Sequence, residues 1–170
     1  QLLAEGSVVA RFTGALEYGP RALGNRSILY QTTDSDANDW LNMKLKRTEF
    51  MPFAPATLSE HADECYELFQ TVDRTAEFMT VTVPCTARMK LTSPAVVHID
   101  GTARPQLVHR ERNPSLHHVL STYHNLTGIP SILNTSFNRH EEPIVRTPKD
   151  ALKSFFESHL DYLAIGRFLV

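Results

Sequence analysis

A chain of 170 residues with 42% apolar content is long enough to bury a core and is read as one domain, 1–170. Its 17 Lys and Arg against 19 Asp and Glu leave a net charge of −2. That charge argues against a general nucleic-acid or membrane-surface role, which usually rests on a basic field. Only Cys65 and Cys85 are present, which excludes a disulfide scaffold or a cysteine-rich zinc site and fits a reducing cytoplasm. No apolar run approaches the roughly 20 residues of a membrane helix, and no signal-peptide pattern opens the chain. Gln1 stands first in place of an initiator methionine, so a piece of a longer polypeptide is expected.

The β-branched run Ser7-Val8-Val9-Ala10-Arg11-Phe12 predicts a strand. A helix is predicted over 36–46, with Ala37, Trp40, Leu41 and Lys44 on one face and Asp34 or Ser35 as its cap. Pro52 and Pro55 are expected to forbid regular structure across 51–56. An irregular helix is predicted over 60–70. Strands are predicted at 78–83 and 95–99, the latter delivering Asp100 and Gly101 to its end, and again at 106–108. Leu116, Val119, Leu120, Tyr123 and Leu126 form a helical stripe between Pro114 and Thr127, stopped by Gly128. A strand over 129–133 runs into Asn134. Thr147-Pro148-Lys149-Asp150 has a cap, a first-turn proline and an acid at the third position, and so starts a helix. Residues 162–169 form the closing strand, and the sum is an α/β domain.

Three polar loops flank the apolar strands. Gly19-Pro20-Arg21-Ala22-Leu23-Gly24-Asn25-Arg26-Ser27 sets two guanidiniums and a hydroxyl among turn residues. Arginine's planar fork matches phosphate oxygens, and glycine lets backbone approach a ligand. Alone, the segment reads equally well as a turn whose arginines sit in surface salt bridges. Asp100-Gly101-Thr102-Ala103-Arg104 and Asn134-Thr135-Ser136-Phe137-Asn138 share its character, although the second would also serve as a side-chain-capped turn. Lys44, Lys46 and Arg47 add three cations in four residues, which by themselves suit a solvated helix end. Phosphoryl chemistry needs such cations together with fixed hydroxyl and amide donors. No Walker loop or G-x-G-x-x-G fingerprint is present, so a nucleotide site here would be of another type. His98 reads as a core histidine, and His117, His118 and His124 on the helix are weak candidates for a metal.

With those residues in place, the chain resembles the C-terminal domain of the O-carbamoyltransferases that modify nodulation factors and antibiotics such as aminoglycosides and cephamycins. The words that carry the resemblance are 17–28 (Glu-Tyr-Gly-Pro-Arg-Ala-Leu-Gly-Asn-Arg-Ser-Ile), Pro52-Phe53-Ala54-Pro55, 98–106 (His-Ile-Asp-Gly-Thr-Ala-Arg-Pro-Gln), and Asn134-Thr135-Ser136-Phe137-Asn138 with Glu142-Pro143-Ile144-Val145. They span nearly the whole chain in the family's order. The resemblance implies a YrdC-like twisted mixed β-sheet flanked by helices that binds ATP, with its Mg2+, and carbamoyl phosphate, and makes carbamoyl adenylate. A preceding actin-like domain, absent from this chain, would hold a metal and pass the carbamoyl group to a hydroxyl of a sugar-containing acceptor such as a nodulation factor. No metal of that domain is expected here.

On this resemblance Arg21, Lys46 and Arg47 are the catalytic candidates. Arg21, Lys44, Lys46, Thr102, Arg104, Asn134, Ser136 and Asn138 are the candidates for ATP and carbamoyl-phosphate binding. Ser136-Phe137-Asn138 matches the family's serine and asparagine two residues apart. Lys46 and Arg47 are adjacent where members usually leave one residue between lysine and arginine, so Lys44 competes with Lys46. Met51 stands where many members have arginine. On this assignment Lys46→Met is expected to cut carbamoyl adenylate formation strongly. The rival readings are a threonylcarbamoyl adenylate synthase using bicarbonate and threonine, and a non-catalytic nucleotide- or RNA-binding module. Neither nucleic acid nor membrane is an expected partner.

Overall fold

The computed structural model describes residues 1–46 and 52–170; Arg47 and Met51 lie outside the described residues. Seven strands form one sheet: β1 (Val9–Phe12), β2 (Arg26–Tyr30), β3 (Ala54–Leu58), β6 (Gln106–Val108), β7 (Ser131–Ser136), β8 (Tyr162–Ile165) and β9 (Phe168–Leu169). Their spatial order is β6-β3-β7-β2-β1-β8-β9, and β4 (Val83–Pro84) and β5 (Thr102–Ala103) pair separately. β1 runs parallel to β8 and β3 parallel to β6, while the other neighbours are antiparallel. The domain is therefore α/β with a mixed sheet flanked by helices.

Successive strand residues face opposite sides of a sheet, and the sequence uses both sides. Ile28 and Tyr30 of β2 and Leu133 of β7 enter one core with Ala10 and Phe12 of β1. Helices α1 (Ala37–Lys44), α2 (Ala62–Cys65), α3 (Ala87–Thr92) and α5 (Pro148–Glu157) close this side, with Leu41, Ala62, Met89 and Phe155 among their buried residues. Leu29, Ile132, Ala56 and Leu58 enter the other core, covered by Leu116, Leu120 and Tyr123 of α4 (Pro114–Thr127). Both long helices have the predicted ends. Asn113 caps α4 and Gly128 closes it at φ +73°, while Thr147 and Asp150 form a reciprocal capping box on α5.

Several predicted elements differ. Pro55 does not exclude a strand: β3 occupies 54–58, and its pairing with β6 begins only at Ala56. Proline's missing N–H thus falls where β3 has a neighbour on one side only, the position at which a sheet tolerates it. The strand predicted at 78–83 is instead a 3-10 turn, Thr75–Phe78, followed by Met79 in the left-handed region at φ +55°. The strand predicted at 95–99 is a 3-10 turn, Pro94–Val96, entered from Ser93. The helix predicted over 60–70 breaks after Cys65, where Tyr66 turns extended and bridges to Cys85. The closing strand folds back at Gly166 into β8 and β9. β2 was not expected, because Arg26 and Ser27 hide its alternation.

Cys65 and Cys85 are free and buried. Burial pushes the first thiol up to about 11 and the second to about 12. Both stay protonated near neutrality and are poor nucleophiles. Neither should be alkylated by iodoacetamide at pH 8 unless the protein is unfolded, which mass spectrometry of native and denatured samples checks.

Candidate functional site

The loop between β1 and β2 is built around one carboxylate. Glu17 Oε1 accepts the backbone N–H of Leu23 at 2.8 Å, of Asn25 at 2.7 Å and of Arg26 at 3.2 Å. Ser27 Oγ accepts the N–H of Gly24 at 2.9 Å. The loop carbonyls are held from outside. Asn134 Nδ2 donates to Ala22 at 3.2 Å, Gln106 Nε2 and Asn113 Nδ2 donate to Leu23 at 2.8 and 3.0 Å, and the Arg11 guanidinium donates to Gly24. Arg26 donates to the carbonyls of Thr13, Gly14 and Asn25 and stacks on the Phe12 ring at 3.7 Å. Every side of residues 22–26 is thereby fixed.

This explains the spacing of the Glu17–Ser27 word. Arg26, 4% exposed, is a brace and not a ligand. Gly24 sits at φ +117°, and a Cβ there would meet Leu116 Cδ2 at 2.8 Å. Gly24→Ala combines a disfavoured backbone with a clash against α4, and we expect it to destabilise the fold by about 2 kcal/mol or more in urea unfolding.

With its neighbours fixed, Arg21 is presented to a cavity of about 70 Å3 lined by Pro20, Arg21, Ala22, Pro52, Phe53, Ala54, Met79, Arg104, Asn134, Thr135 and Ser136. Arg104 arrives from the turn between β5 and β6. Burial lowers its pKa, and the nearby Arg21 charge lowers it further. Its Nε is buried without a hydrogen-bond partner. Among the described residues neither guanidinium pairs with a carboxylate, and no Asp or Glu lines the cavity. Two close cations without a counter-charge form a site for an anion.

Asn134, 1% exposed, serves the loop through Nδ2, which also donates to Gln106 Oε1 at 2.7 Å, while its Oδ1 is buried without a partner. Ser136 Oγ donates to Asn138 Oδ1 at 2.5 Å, and Asn138 Nδ2 donates to the Glu142 carbonyl at 2.8 Å. Asn138 therefore orients Ser136 from outside the cavity lining. Thr102 closes a turn, giving its N–H and Oγ1 to Asp100 Oδ1 at 3.0 and 2.7 Å. Those bonds hold the Asp100 carboxyl below the usual range.

The basic segment is dispersed. Lys44 pairs with Asp161 at 3.2 Å, and Asp161 Oδ2 also accepts the Val8 N–H, so this lysine ties α1 to the sheet. Lys46 lines a separate surface pocket with Arg139, Phe156, Glu157 and His159. Arg47, named with them, lies outside the described residues. Of the binding candidates, the cavity lining thus unites Arg21, Arg104, Asn134 and Ser136.

The histidines act elsewhere. His117 Nε2 lies 2.7 Å from Glu60, and the His61 and His124 rings pack at 4.3 Å. Among the described residues no cluster of His, Cys, Asp and Glu is placed to hold a metal, and no helix is long and apolar enough to cross a membrane.

Sequence reading missed Glu17, Arg11, Gln106 and Asn113 as builders of this site. Gln106 carried a signal: an amide beside the apolar pair Leu107 and Val108, in a buried strand, has to find polar partners.

The sequence model of the family described as Carbamoyltransferase C-terminus matches residues 1–170. The chain belongs to this family. It is 41% identical over 169 residues to nodulation protein NolO of Bradyrhizobium diazoefficiens, covering 99% of this chain and 31% of that protein. It is 40% identical to nodulation protein NolNO of Sinorhizobium fredii, covering 99% of this chain and 25% of that protein. An uncharacterised protein of Methanocaldococcus jannaschii is 37% identical, with 100% and 27% covered. The chain thus spans between a quarter and a third of the length of these relatives.

Proposed function

We propose that this domain binds ATP and carbamoyl phosphate and forms carbamoyl adenylate, for transfer of the carbamoyl group to a hydroxyl of a sugar-containing acceptor. The observation that carries the reading is the convergence of Arg21 and Arg104 on one cavity beside Ser136, with no carboxylate in the lining among the described residues. Membership of the carbamoyltransferase C-terminal family supports it, as does the similarity to nodulation proteins.

Carbamoyl phosphate and water give carbamate and phosphate. A carbamate oxygen then attacks the α-phosphorus of ATP, the bond from that phosphorus to the β-bridging oxygen breaks, and pyrophosphate leaves. An acceptor hydroxyl finally takes the carbamoyl group, and AMP is released. Carbamate arrives already anionic, so its attack needs no protein base. The contribution of this chain is to neutralise phosphoryl charge through Arg21 and Arg104, and to orient an oxygen through Ser136 once its hydroxyl turns from Asn138 to the ligand. A lining of guanidiniums and neutral donors suits a magnesium ion held by the phosphates themselves, where it would offset their charge.

The test is pyrophosphate release from ATP. Release on addition of carbamoyl phosphate is expected, and release only with threonine and bicarbonate would favour the threonylcarbamoyl reading instead. Lys46 lines a pocket apart from Arg21 and Arg104, which supports a second reading of its role. Arg21→Met should lower turnover at least about 100-fold, as loss of one preorganised donor to developing charge does. Lys46→Met should leave turnover within about threefold, the scale of an exposed charge.

A further inference from the structure

A second pocket, of about 580 Å3, shares no lining residue with the anion cavity. It lies between Leu16 of the loop joining β1 to β2, the segment 142–146, and the first turns of α5. Leu16, Pro143, Ile144 and Val145 make part of its lining apolar. Around them stand Glu142 and Asp150 against Arg146 and Lys153, so the charges balance. The backbone N–H of Thr147 holds the Asp150 carboxyl below the usual range, and that residue stays charged near neutrality. Among the described residues neither Arg146 nor Lys153 enters an ion pair.

Ser154 belongs to the same lining. It is 4% exposed, and its Oγ is buried without a hydrogen-bond partner among the described residues. A helical hydroxyl readily donates to the carbonyl four residues back. Thr92 of α3 and Ser121, Thr122 and Thr127 of α4 all do so, at 3.0, 2.9, 2.9 and 2.8 Å. Ser154 leaves that bond unmade, and an unpaired buried hydroxyl costs stability until a ligand satisfies it. The pocket is also tied to the anion cavity. Asn138 Nδ2 donates to the Glu142 carbonyl at 2.8 Å while its Oδ1 accepts the Ser136 hydroxyl at 2.5 Å, so one side chain joins a wall of each.

Resting on the acceptor reading above, we infer that this pocket holds an uncharged sugar ring of the acceptor. A lining whose charges cancel has no preference for an ion, whereas the two uncompensated guanidiniums of the anion cavity do. The C–H face of a pyranose can lie on Leu16, Pro143 and Ile144. Its hydroxyls both donate and accept. Asp150 and Glu142, the latter also 3.6 Å from Arg139, can accept from them, Arg146 and Lys153 can donate to them, and Ser154 can do either. The volume lies within the ordinary range for small-ligand sites.

The experiment is a heteronuclear NMR titration of the protein with the neutral saccharides maltotriose, cellotriose and tri-N-acetylchitotriose, and with inorganic phosphate, without ATP or carbamoyl phosphate. At least one saccharide should give saturable shifts centred on residues 142–154, and phosphate should give none there. Ser154→Ala should weaken that saccharide about three- to tenfold, the scale of one neutral hydrogen bond. It should also leave the thermal unfolding midpoint unchanged or higher. Lys153→Ala, at an exposed position, should weaken the saccharide by a similar factor. Binding of no saccharide, or equal shifts from phosphate, overturns the sugar subsite while leaving carbamoyl adenylate formation standing. Saccharide affinity unchanged in both variants overturns it as well, and a Ser154→Ala protein of lower stability does so by marking a structural hydroxyl. A protein that binds the saccharide here but releases no pyrophosphate from ATP and carbamoyl phosphate keeps its sugar site and overturns the reading on which the acceptor role rests.

Discussion

Arg104→Met should lower ATP-dependent turnover of carbamoyl phosphate by about 100- to 1,000-fold, the usual cost of deleting a preorganised donor at developing charge. It should leave the thermal unfolding midpoint unchanged or higher. The two effects have opposite signs for one reason. Burial and the neighbouring Arg21 charge both work against the Arg104 guanidinium in the free protein, and Nε lacks a hydrogen-bond partner. A side chain that is unfavourable without ligand is retained for what it does with ligand. Steady-state kinetics and differential scanning calorimetry of the same preparation check the pair of outcomes. A variant that loses stability along with turnover would make Arg104 a structural arginine and would count against the anion site.

Glu17→Ala should show the reverse pattern, with stability lost first and activity lost because of it. One carboxylate oxygen accepts three backbone N–H groups, and the same charge offsets the buried guanidiniums of Arg11 and Arg26. Burial lowers the pKa of both arginines and the Glu17 charge acts against that shift. Removing the side chain orphans the donors and leaves two buried cations less compensated. Charge-assisted hydrogen bonds contribute about 1.5–3 kcal/mol each and share one acceptor here, so a net cost of about 3 kcal/mol is expected. In a domain of this size that lowers the midpoint by roughly 6–12 °C. Glu17→Gln keeps an acceptor oxygen but not the charge, and should fall between the two proteins. Calorimetry, with the kinetics measured well below the midpoint, checks both; a Glu17→Ala protein as stable as the parent would show that the loop is not built on this carboxylate.

The contrast between Arg104 and Arg26 shows how far residue type alone carries. In sequence the two arginines look alike, each in a polar loop after an apolar run. Arg26 gives its two terminal nitrogens to three backbone carbonyls and stacks on Phe12, its Nε lacking a partner like that of Arg104, whereas Arg104 lines a cavity together with Arg21. Likewise the serine and asparagine at 136 and 138 lie two residues apart and differ in role, because the asparagine holds the serine and does not itself line the cavity. The lysines at 44 and 46 lie two residues apart and take unrelated partners. Lys44 is the last residue of α1, whereas Lys46 lies beyond its Leu45 cap with φ +56°, and that turn separates the two directions.

The sequence by itself determined what is local. The C-terminal end of α4 followed from Gly128 and the start of α5 from Thr147, Pro148 and Asp150, because caps are made within a few residues of the helix they close. The strand at β1 followed from its β-branched residues. The family words and the arginine-rich loop were legible because their meaning lies in the chain's order. The tertiary structure alone decided the rest. Pro55 could enter a strand because β3 pairs with β6 only from Ala56 onward, and β2 holds Arg26 because the carbonyls of Thr13 and Gly14 accept its guanidinium N–H groups. Phe78 and Met79 alternate like strand residues, but they end a 3-10 turn and enter the left-handed region, beside a Glu77 that Arg112 holds from 35 residues away. A guanidinium becomes a brace or a ligand according to which acceptors surround it, and those acceptors come from parts of the chain up to about a hundred residues away.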